Sequence, residues 1–182
     1  NLAAGQVPGA FGDELLLLWR IAQQLKVGRG DAEDLTGKVD YTFDILQEGD
    51  QEKVVIGTRQ RGNPIDLTVS EWMIFANSTW GKLLADHGVA GIYRSQSNGR
   101  TRMSLEALPH EGLGVAQYAW STSPLRRYVD LANQRQLIAL LAQQTPPWPK
   151  RSPELTEIAR RFDLTYDAYN EFQRGMERYW VY

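Results

Sequence analysis

The chain has 182 residues, of which 42% are hydrophobic, with six Trp and eight Tyr, a composition typical of one packed globular domain. It contains no Cys. This excludes a disulfide framework, a thiolate nucleophile and a Cys-based zinc site, and it fits a reducing, cytoplasmic environment. Its two His, His87 and His110, are too few for a His-rich metal site. The formal net charge of −2 is not that of a typical nucleic-acid-binding domain.

Local charge differs from net charge. Within residues 94–135 the only acids are Glu106, Glu111 and Asp130, whereas the same stretch carries six arginines: Arg94, Arg100, Arg102, Arg126, Arg127 and Arg135. A basic groove is therefore compatible with the small net charge, because charges act locally and are screened within ~8–10 Å. The longest apolar run is far shorter than a membrane span, and no signal-peptide pattern opens the chain. The missing initiator Met predicts a piece of a longer protein.

Hydrophobic spacing predicts a helix-rich α+β fold. A helix is expected over residues 13–27, capped by Asp13, ended by Gly28 and apolar on most sides, as in a helix buried among neighbours. Alternating apolar residues then predict a β-hairpin whose loop lies at 47–51. The hairpin residues are Tyr41, Phe43, Ile45, Val54 and Ile56.

The second half is predicted to be mainly helical. Gly62-Asn63-Pro64 is expected to break the pattern, and Ser70 to cap a helix over 71–87. Residues 94–114, polar and containing Gly, are expected to form a long loop. Ser123-Pro124 is expected to open a helix reaching about residue 144, and Ser152-Pro153 a final helix running nearly to the end.

The most informative segment is Tyr118-Ala-Trp-Ser-Thr-Ser-Pro-Leu-Arg-Arg-Tyr-Val-Asp-Leu131, followed by Gln134-Arg135. Its hydroxyls precede a predicted helix N-terminus, where free N–H groups and the helix dipole favour an anion. Arg126 and Arg127, expected in the first turn, oppose that dipole unless an anion such as phosphate compensates. The alternative is an ordinary capped helix with solvated arginines.

This segment resembles that of ribonuclease II-type (RNB) exoribonucleases, which carry Tyr-x-x-x-Thr-Ser-Pro-Ile-Arg-Arg-Tyr-x-Asp-Leu-x-x-His-Arg-x-Leu. Upstream, Glu71-Trp-Met-Ile-Phe-Ala-Asn77 matches the family's Glu-x-Met-x-x-Ala-Asn helix, and Ile92-Tyr93-Arg94 matches the short segment that follows it. The resemblance extends over essentially the whole chain, residues 1–182, as the C-terminal portion of such a catalytic domain. One departure is Gln134, where the family usually has His.

The resemblance implies removal of nucleoside 5′-monophosphates from the 3′ end of single-stranded RNA, with two Mg²⁺ ions held by aspartates. Those aspartates belong to a motif N-terminal to everything in this chain, so no metal ligand is expected here. The dense acidic cluster Asp31-Ala-Glu33-Asp34 has the wrong spacing and is expected to be a solvated loop. No membrane partner is expected. The missing N-terminal segment of the same protein is an expected partner, and self-association through the apolar helix 13–27 is another.

Site residues carry over position by position. Arg126 corresponds to the catalytic arginine, the alternative being a phosphate-positioning residue without catalytic weight. The RNA-binding candidates are Glu71, Arg94, Thr122, Ser123, Arg127, Tyr128 and Arg135. For Glu71 the alternative is a first-turn helix carboxylate, and for Tyr128 a core position.

Several neighbouring residues are expected to have structural roles. Asp130 and Arg135 are expected to hold the arginines, the alternative being a plain surface pair five residues apart. Asn77 is expected to serve internal packing. Both His are expected at the surface. Two other functions stay open, a catalytically inert module that binds single-stranded RNA and a structural helical domain.

Overall fold

The computed structural model describes residues 9–30, 39–49, 51–60 and 62–181. Helices and strands are mixed, as predicted. The elements in chain order are α1 (Gly12–Gly28), β1 (Val39–Glu48), β2 (Gln51–Gln60), α2 (Pro64–Asp86), β3 (Tyr93–Ser97), β4 (Arg100–Ser104), a 3-10 turn (Glu111–Leu113), α3 (Tyr128–Leu141) and α4 (Pro153–Val181). Strands β1 and β2 form one antiparallel hairpin, and β3 and β4 form another. No described helix is long and apolar enough to cross a membrane.

The core lies where α2, α3 and the first half of α4 meet three connecting segments. Its buried members are Ile74, Ala90, Ile92, Tyr118, Trp120, Val129, Ala132, Trp148, Leu155 and Ala159. Phe162 and Tyr166 extend it along α4, whereas Tyr169, Phe172 and Tyr179 farther along that helix are exposed. The segment containing Trp120 is therefore fixed by apolar burial on several sides, and it leads directly into the candidate site.

Helix α1 differs from the prediction in both capping and burial. Its N-cap is Phe11, which has no side-chain capping bond, and Asp13 lies inside the first turn. Among its residues only Ala22 is buried, and Leu17 is 58% exposed. The helix contacts α2 along one side, where Trp72 Nε1 donates to the Leu18 carbonyl at 3.2 Å. The predicted burial was wrong because α1 has one described partner helix and more apolar residues than that partner covers.

Helix α2 begins six residues before the predicted cap. Asn63 caps it, since its Oδ1 accepts from the N–H groups of Ile65 and Asp66 at 2.9 and 3.0 Å. Pro64 occupies the first helical turn, where a missing N–H costs nothing. Ser70 instead donates its hydroxyl to the Leu67 carbonyl at 3.0 Å. The segment Gly62-Asn63-Pro64, which was predicted to interrupt the structure, thus forms the start of the helix.

Residues 94–114 also differ from the predicted loop. Strands β3 and β4 pair in register from Tyr93 with Ser104 to Ser97 with Arg100. They are joined by Asn98 and Gly99, whose φ angles are 51° and 74°. Two consecutive left-handed residues make the tight turn that matches the twist of a hairpin. The first hairpin confirms its prediction, with longer strands than the apolar residues alone indicated.

Candidate nucleic-acid interface

The segment 123–127 is a turn that precedes α3. The N–H groups of Arg126 and Arg127 both donate to the Ser123 carbonyl, at 3.3 and 3.1 Å, and the helix begins at Tyr128. Arg127 has extended backbone angles of −130° and 116°, which no helical residue adopts. The prediction that Ser123-Pro124 opens the helix was therefore wrong by about one turn.

The buried carboxylate of Asp130 fixes this turn. Its Oδ1 accepts from the Ser123 N–H at 2.8 Å, and its two oxygens bind Nε and Nη2 of Arg127, both at 2.7 Å. The side chain of Asp130 is 0% exposed and that of Arg127 is 10% exposed. The expectation that Asp130 holds the arginines is confirmed for Arg127. Arg135 does not share this task, since it is exposed on α3.

The two adjacent arginines have opposite environments. Arg127 is ion-paired, and its Cζ lies 4.0 Å from the ring centroid of Trp120. Arg126 is exposed, and its guanidinium makes no hydrogen bond or ion pair with the part of the chain that the structure describes. Leu125 beside it is fully exposed, at 103%. Arg126 is thus the arginine of this pair whose donors are available to a ligand.

Arg94 approaches the same tryptophan from the second hairpin. Its Cζ lies 4.5 Å from the centroid of Trp120 and 5.0 Å from that of Tyr166. Its backbone N–H donates to the Tyr118 carbonyl at 2.7 Å, which ties β3 to the segment that carries Trp120. We call Arg94, Trp120, Arg127 and Tyr166 the arginine–aromatic stack. It brings two of the predicted site arginines together although they are far apart in sequence.

Side-chain amides anchor the backbone that leads into the turn. Asn77, 0% exposed, accepts from the Ser121 N–H at 2.9 Å and donates to Thr122 Oγ1 at 3.2 Å. Asn133 donates to the Trp120 carbonyl at 2.8 Å, and Gln134 to the Ser121 carbonyl at 2.7 Å. The expected packing role of Asn77 is confirmed.

Glu71 lies inside α2, in its second turn, and not at its start. It is 3% exposed, and Arg29 binds it with Nε at 3.1 Å and Nη2 at 2.5 Å, while Nη1 of Arg29 donates to the Leu113 carbonyl. The first-turn alternative for Glu71 was therefore wrong. Arg29 is a partner that the sequence did not indicate, because nothing local relates residues 42 positions apart.

The remaining candidates lie around the turn. Tyr128 is 53% exposed, so its alternative as a core residue was wrong. Thr122 and Ser123 are partly exposed, and Arg135 projects from the exposed side of α3. The structure thus brings Thr122, Ser123, Arg126, Arg127 and Tyr128 together with Arg94, while Glu71 faces α1.

Comparison with known proteins points to one family. Residues 99–143 match the family model described as RNB domain. Exoribonuclease 2 of Pasteurella multocida is 49% identical over 45 residues, which are 25% of this chain and 7% of that protein. Exoribonuclease 2 of Serratia proteamaculans is 46% identical over 71 residues, 38% of this chain and 10% of that protein. The matched segments are thus similar in sequence to exoribonucleases that carry an RNB domain, and they span a small part of those proteins' length.

Solved structures extend the likeness of fold beyond the matched segment. The Dss1 exoribonuclease of Candida glabrata has a TM-score of 0.78 at 21% identity, covering 97% of this chain and 27% of that one. RNase R of Mycoplasma genitalium, solved in complex with double-stranded RNA, has a TM-score of 0.73 at 16% identity, covering 97% and 42%. The chain therefore corresponds to a minor part of each of these RNB-family proteins.

The RNB resemblance implies metal ions, and the described residues do not provide a site for them. Within residues 9–30, 39–49, 51–60 and 62–181 there is no group of three or more His, Asp or Glu able to hold a metal ion. The acidic cluster at residues 31–34 lies outside the described residues. The carboxylate at the Arg126 turn, that of Asp130, is buried and bonded to Ser123 and Arg127. The other polar side chains there are hydroxyl, guanidinium and phenol groups, which suit phosphate and bases and do not form a Mg²⁺ site.

One buried group was predicted wrongly. His110 is 7% exposed and its Nδ1 has no hydrogen-bond partner, whereas His87 is at the surface as expected. The ring of His110 packs edge-on against that of Tyr118, with the two ring centroids 5.8 Å apart. Burial, and secondly the positive charge of Arg94, lower the pKa of His110 from 6.5 to about 4. The folded chain therefore holds this imidazole neutral at pH 7.

Acid should destabilise the fold through His110. Between pH 6.5 and about 4 the unfolded chain binds a proton that the folded chain excludes, so the free energy of unfolding falls as pH is lowered through this window. Between pH 7 and about pH 4.5 the free energy of unfolding of the wild type should fall by about 2 kcal/mol more than that of His110→Phe. Urea unfolding of both proteins at pH 7 and pH 4.5 measures this difference. Equal acid losses would show that His110 does not titrate in this way.

Proposed function

We propose that this chain is a portion of a 3′-to-5′ exoribonuclease that hydrolyses single-stranded RNA to nucleoside 5′-monophosphates. The observation that carries the proposal is the guanidinium of Arg126, which is exposed and has no partner among the described residues. It stands on a turn that Asp130 and buried amides hold rigid, within the segment matching the RNB domain. RNase R of Mycoplasma genitalium has been solved with single-stranded RNA, which favours the same ligand class here.

Each exposed candidate suits one part of an RNA strand. Arg126 offers a planar fork of N–H donors to the phosphate that reacts. Tyr128 presents an exposed ring on which a base can stack, an interaction worth ~1–3 kcal/mol per base. Arg135 adds positive charge one to two turns along α3. Thr122 and Ser123 offer hydroxyls beside the same turn. In this proposal Arg127 serves the site from within, by holding the turn.

Glu71 is proposed to contact the 3′-terminal nucleotide, as the family resemblance implies. Both of its oxygens accept from Arg29, and each retains a further lone pair for a ribose hydroxyl. Because the carboxylate is 3% exposed, such a contact requires α1 to leave an opening beside it. Its role is thus coupled to the placement of Arg29.

We propose that carboxylates outside the described residues hold the Mg²⁺ ions that the family resemblance implies. Two such ions would activate water for phosphodiester hydrolysis. We further propose that these carboxylates lie in an N-terminal part of a longer protein, with which this chain forms one catalytic domain. Self-association through the exposed apolar side of α1 stays a prediction.

The 182-residue chain alone should bind single-stranded RNA without degrading it. Hydrolysis needs metal-binding carboxylates that its described residues do not provide. A 5′-labelled single-stranded RNA is incubated with the chain and Mg²⁺ or Mn²⁺, and its length is followed on a gel. Chelator-sensitive shortening by the chain alone would contradict this prediction.

The same assay on a longer protein that contains this chain tests the proposed activity. Stepwise shortening from the 3′ end, with release of nucleoside 5′-monophosphates, is the expected result. Salt-sensitive binding with no shortening would identify the alternative, a catalytically inert RNA-binding module.

A further inference from the structure

The guanidinium of Arg94 packs against aromatic rings, and no described residue accepts a hydrogen bond from its side-chain N–H groups. Its Cζ lies 4.5 Å from the Trp120 centroid and 5.0 Å from the Tyr166 centroid, distances at which a cation is attracted to an aromatic face. Tyr166 is itself stacked on Phe162 with centroids 5.5 Å apart, and Trp120 meets both rings edge-on. The aromatic side chains that hold Arg94 are thus held in turn by the core.

Arg94 and Arg127 differ in how their charge is balanced. Arg127 has a bidentate ion pair with Asp130. Arg94 makes no side-chain hydrogen bond or ion pair with any described residue. Asp163 is the carboxylate whose negative charge acts on Arg94. One oxygen of Asp163 accepts a hydrogen bond from the Met103 N–H at 3.0 Å. Burial lowers the pKa of Arg94, yet guanidinium stays charged throughout the physiological range.

The side-chain nitrogens of Arg94 are only partly buried. Among described residues the one fully buried side-chain nitrogen or oxygen without a partner is His110 Nδ1, so no nitrogen of Arg94 is both buried and unsatisfied. A guanidinium that packs against two aromatic rings and keeps partly accessible nitrogens along its edge is oriented before any ligand arrives. Such an edge fits the oxygens of a phosphate, and binding it costs little side-chain entropy.

We infer that Arg94 is a pre-oriented contact for a phosphate of the RNA backbone, that Trp120 and Tyr166 position it, and that Arg127 serves the site by holding Trp120. This deepens the proposed function and rests on it for the identity of the ligand. The connection to the turn is direct, since β3 is bonded to Tyr118 and Trp120 is three residues before Ser123. An RNA strand whose reacting phosphate contacts Arg126 would then place another of its phosphates near Arg94.

The first experiment measures the salt dependence of RNA binding by the chain. Affinity for a fluorescent single-stranded RNA is determined in EDTA between about 50 and about 200 mM salt, a range over which counterion release is readily resolved. Arg94→Met keeps the length of the side chain and removes its charge. It should weaken binding roughly tenfold at the lowest salt and reduce the slope of log affinity against log salt by about 0.7.

Arg160→Met is the matched control. This substitution also removes one positive charge, but Arg160 is exposed on α4 and is ion-paired with Glu157. Its slope should equal that of wild type. Arg126→Met serves as the second reference, because Arg126 is the contact on which the proposed function depends.

A double-mutant cycle separates positioning from mere packing. Tyr166→Leu should weaken binding severalfold when Arg94 is present and have no effect in the Arg94→Met background. Tyr166→Phe, which keeps the aromatic face, should bind like wild type. A purely structural role of Tyr166 would weaken both backgrounds equally, and that result would overturn the inference.

The outcomes distinguish this inference from the proposed function. If Arg126→Met lowers the affinity and slope while Arg94→Met changes neither, Arg94 is a structural cation and only this inference fails. If wild type shows no salt-sensitive binding to single-stranded RNA, the proposed function fails and this inference with it.

Discussion

Replacing Arg126 with Ala in a longer, active protein that contains this chain should lower kcat at least ~10²-fold and weaken RNA binding only modestly. The magnitude follows from loss of one electrostatic donor aimed at charge that develops in the transition state. Such a donor acts mainly on kcat because the ground state gains little from it. Binding is spread over other cations, including Arg94 and Arg135, so RNA should stay bound when Arg126 is replaced.

Two variants sharpen this test. Arg126→Lys should recover little of the lost rate, because an ammonium lacks the planar fork of guanidinium. Arg135→Ala removes an exposed arginine from α3 and should affect KM more than kcat. Single-turnover and steady-state measurements on labelled RNA separate the two parameters. A near-normal kcat with tenfold weaker binding in Arg126→Ala would make Arg126 a positioning residue.

The contrast between Arg126 and Arg127 could not be predicted from the sequence. The two residues are identical and adjacent, and the family resemblance assigns Arg126 to catalysis and Arg127 to direct RNA binding. Their roles separate because the buried carboxylate of Asp130 captures Arg127 and the indole of Trp120 packs against it. Both interactions accompany an extended backbone at Arg127, immediately before α3 begins, which a local pattern of hydroxyls and proline does not specify.

The second hairpin was predictable in part. Asn98-Gly99 is a strong turn signal because both residues tolerate positive φ. The flanking strands are polar, however, and lack the apolar alternation by which strands are recognised. Partners distant in sequence, such as Arg29 with Glu71 or Arg94 with Trp120, leave no local pattern at all. The motif therefore indicates which residues bear the chemistry, and the tertiary contacts decide how each is used.

Removing the buried carboxylate of Asp130 should give the largest loss of stability in the site. Asp130→Ala leaves the Arg127 guanidinium, 10% exposed, without its counter-charge and the Ser123 N–H without its acceptor. Breaking a buried pair in this way costs ~3–5 kcal/mol, because a desolvated charge is left uncompensated. Urea unfolding of the chain at pH 7 measures the loss.

Helix α4 offers a matched control for that prediction. Glu157 binds Arg160 three residues away through Nε and Nη2 at 2.7 and 2.8 Å, the same bidentate geometry as Asp130 with Arg127. Hydrogen bonds from Arg160 and then Arg161 lower the pKa of Glu157 to about 2, yet the pair is exposed and screened by solvent. Glu157→Ala should therefore change stability little. Asp130→Asn, which keeps an acceptor for Ser123, should fall between the two. Equal losses for Asp130→Ala and Glu157→Ala would show that burial does not strengthen the Arg127 pair, and that the turn carrying Arg126 is held by other contacts.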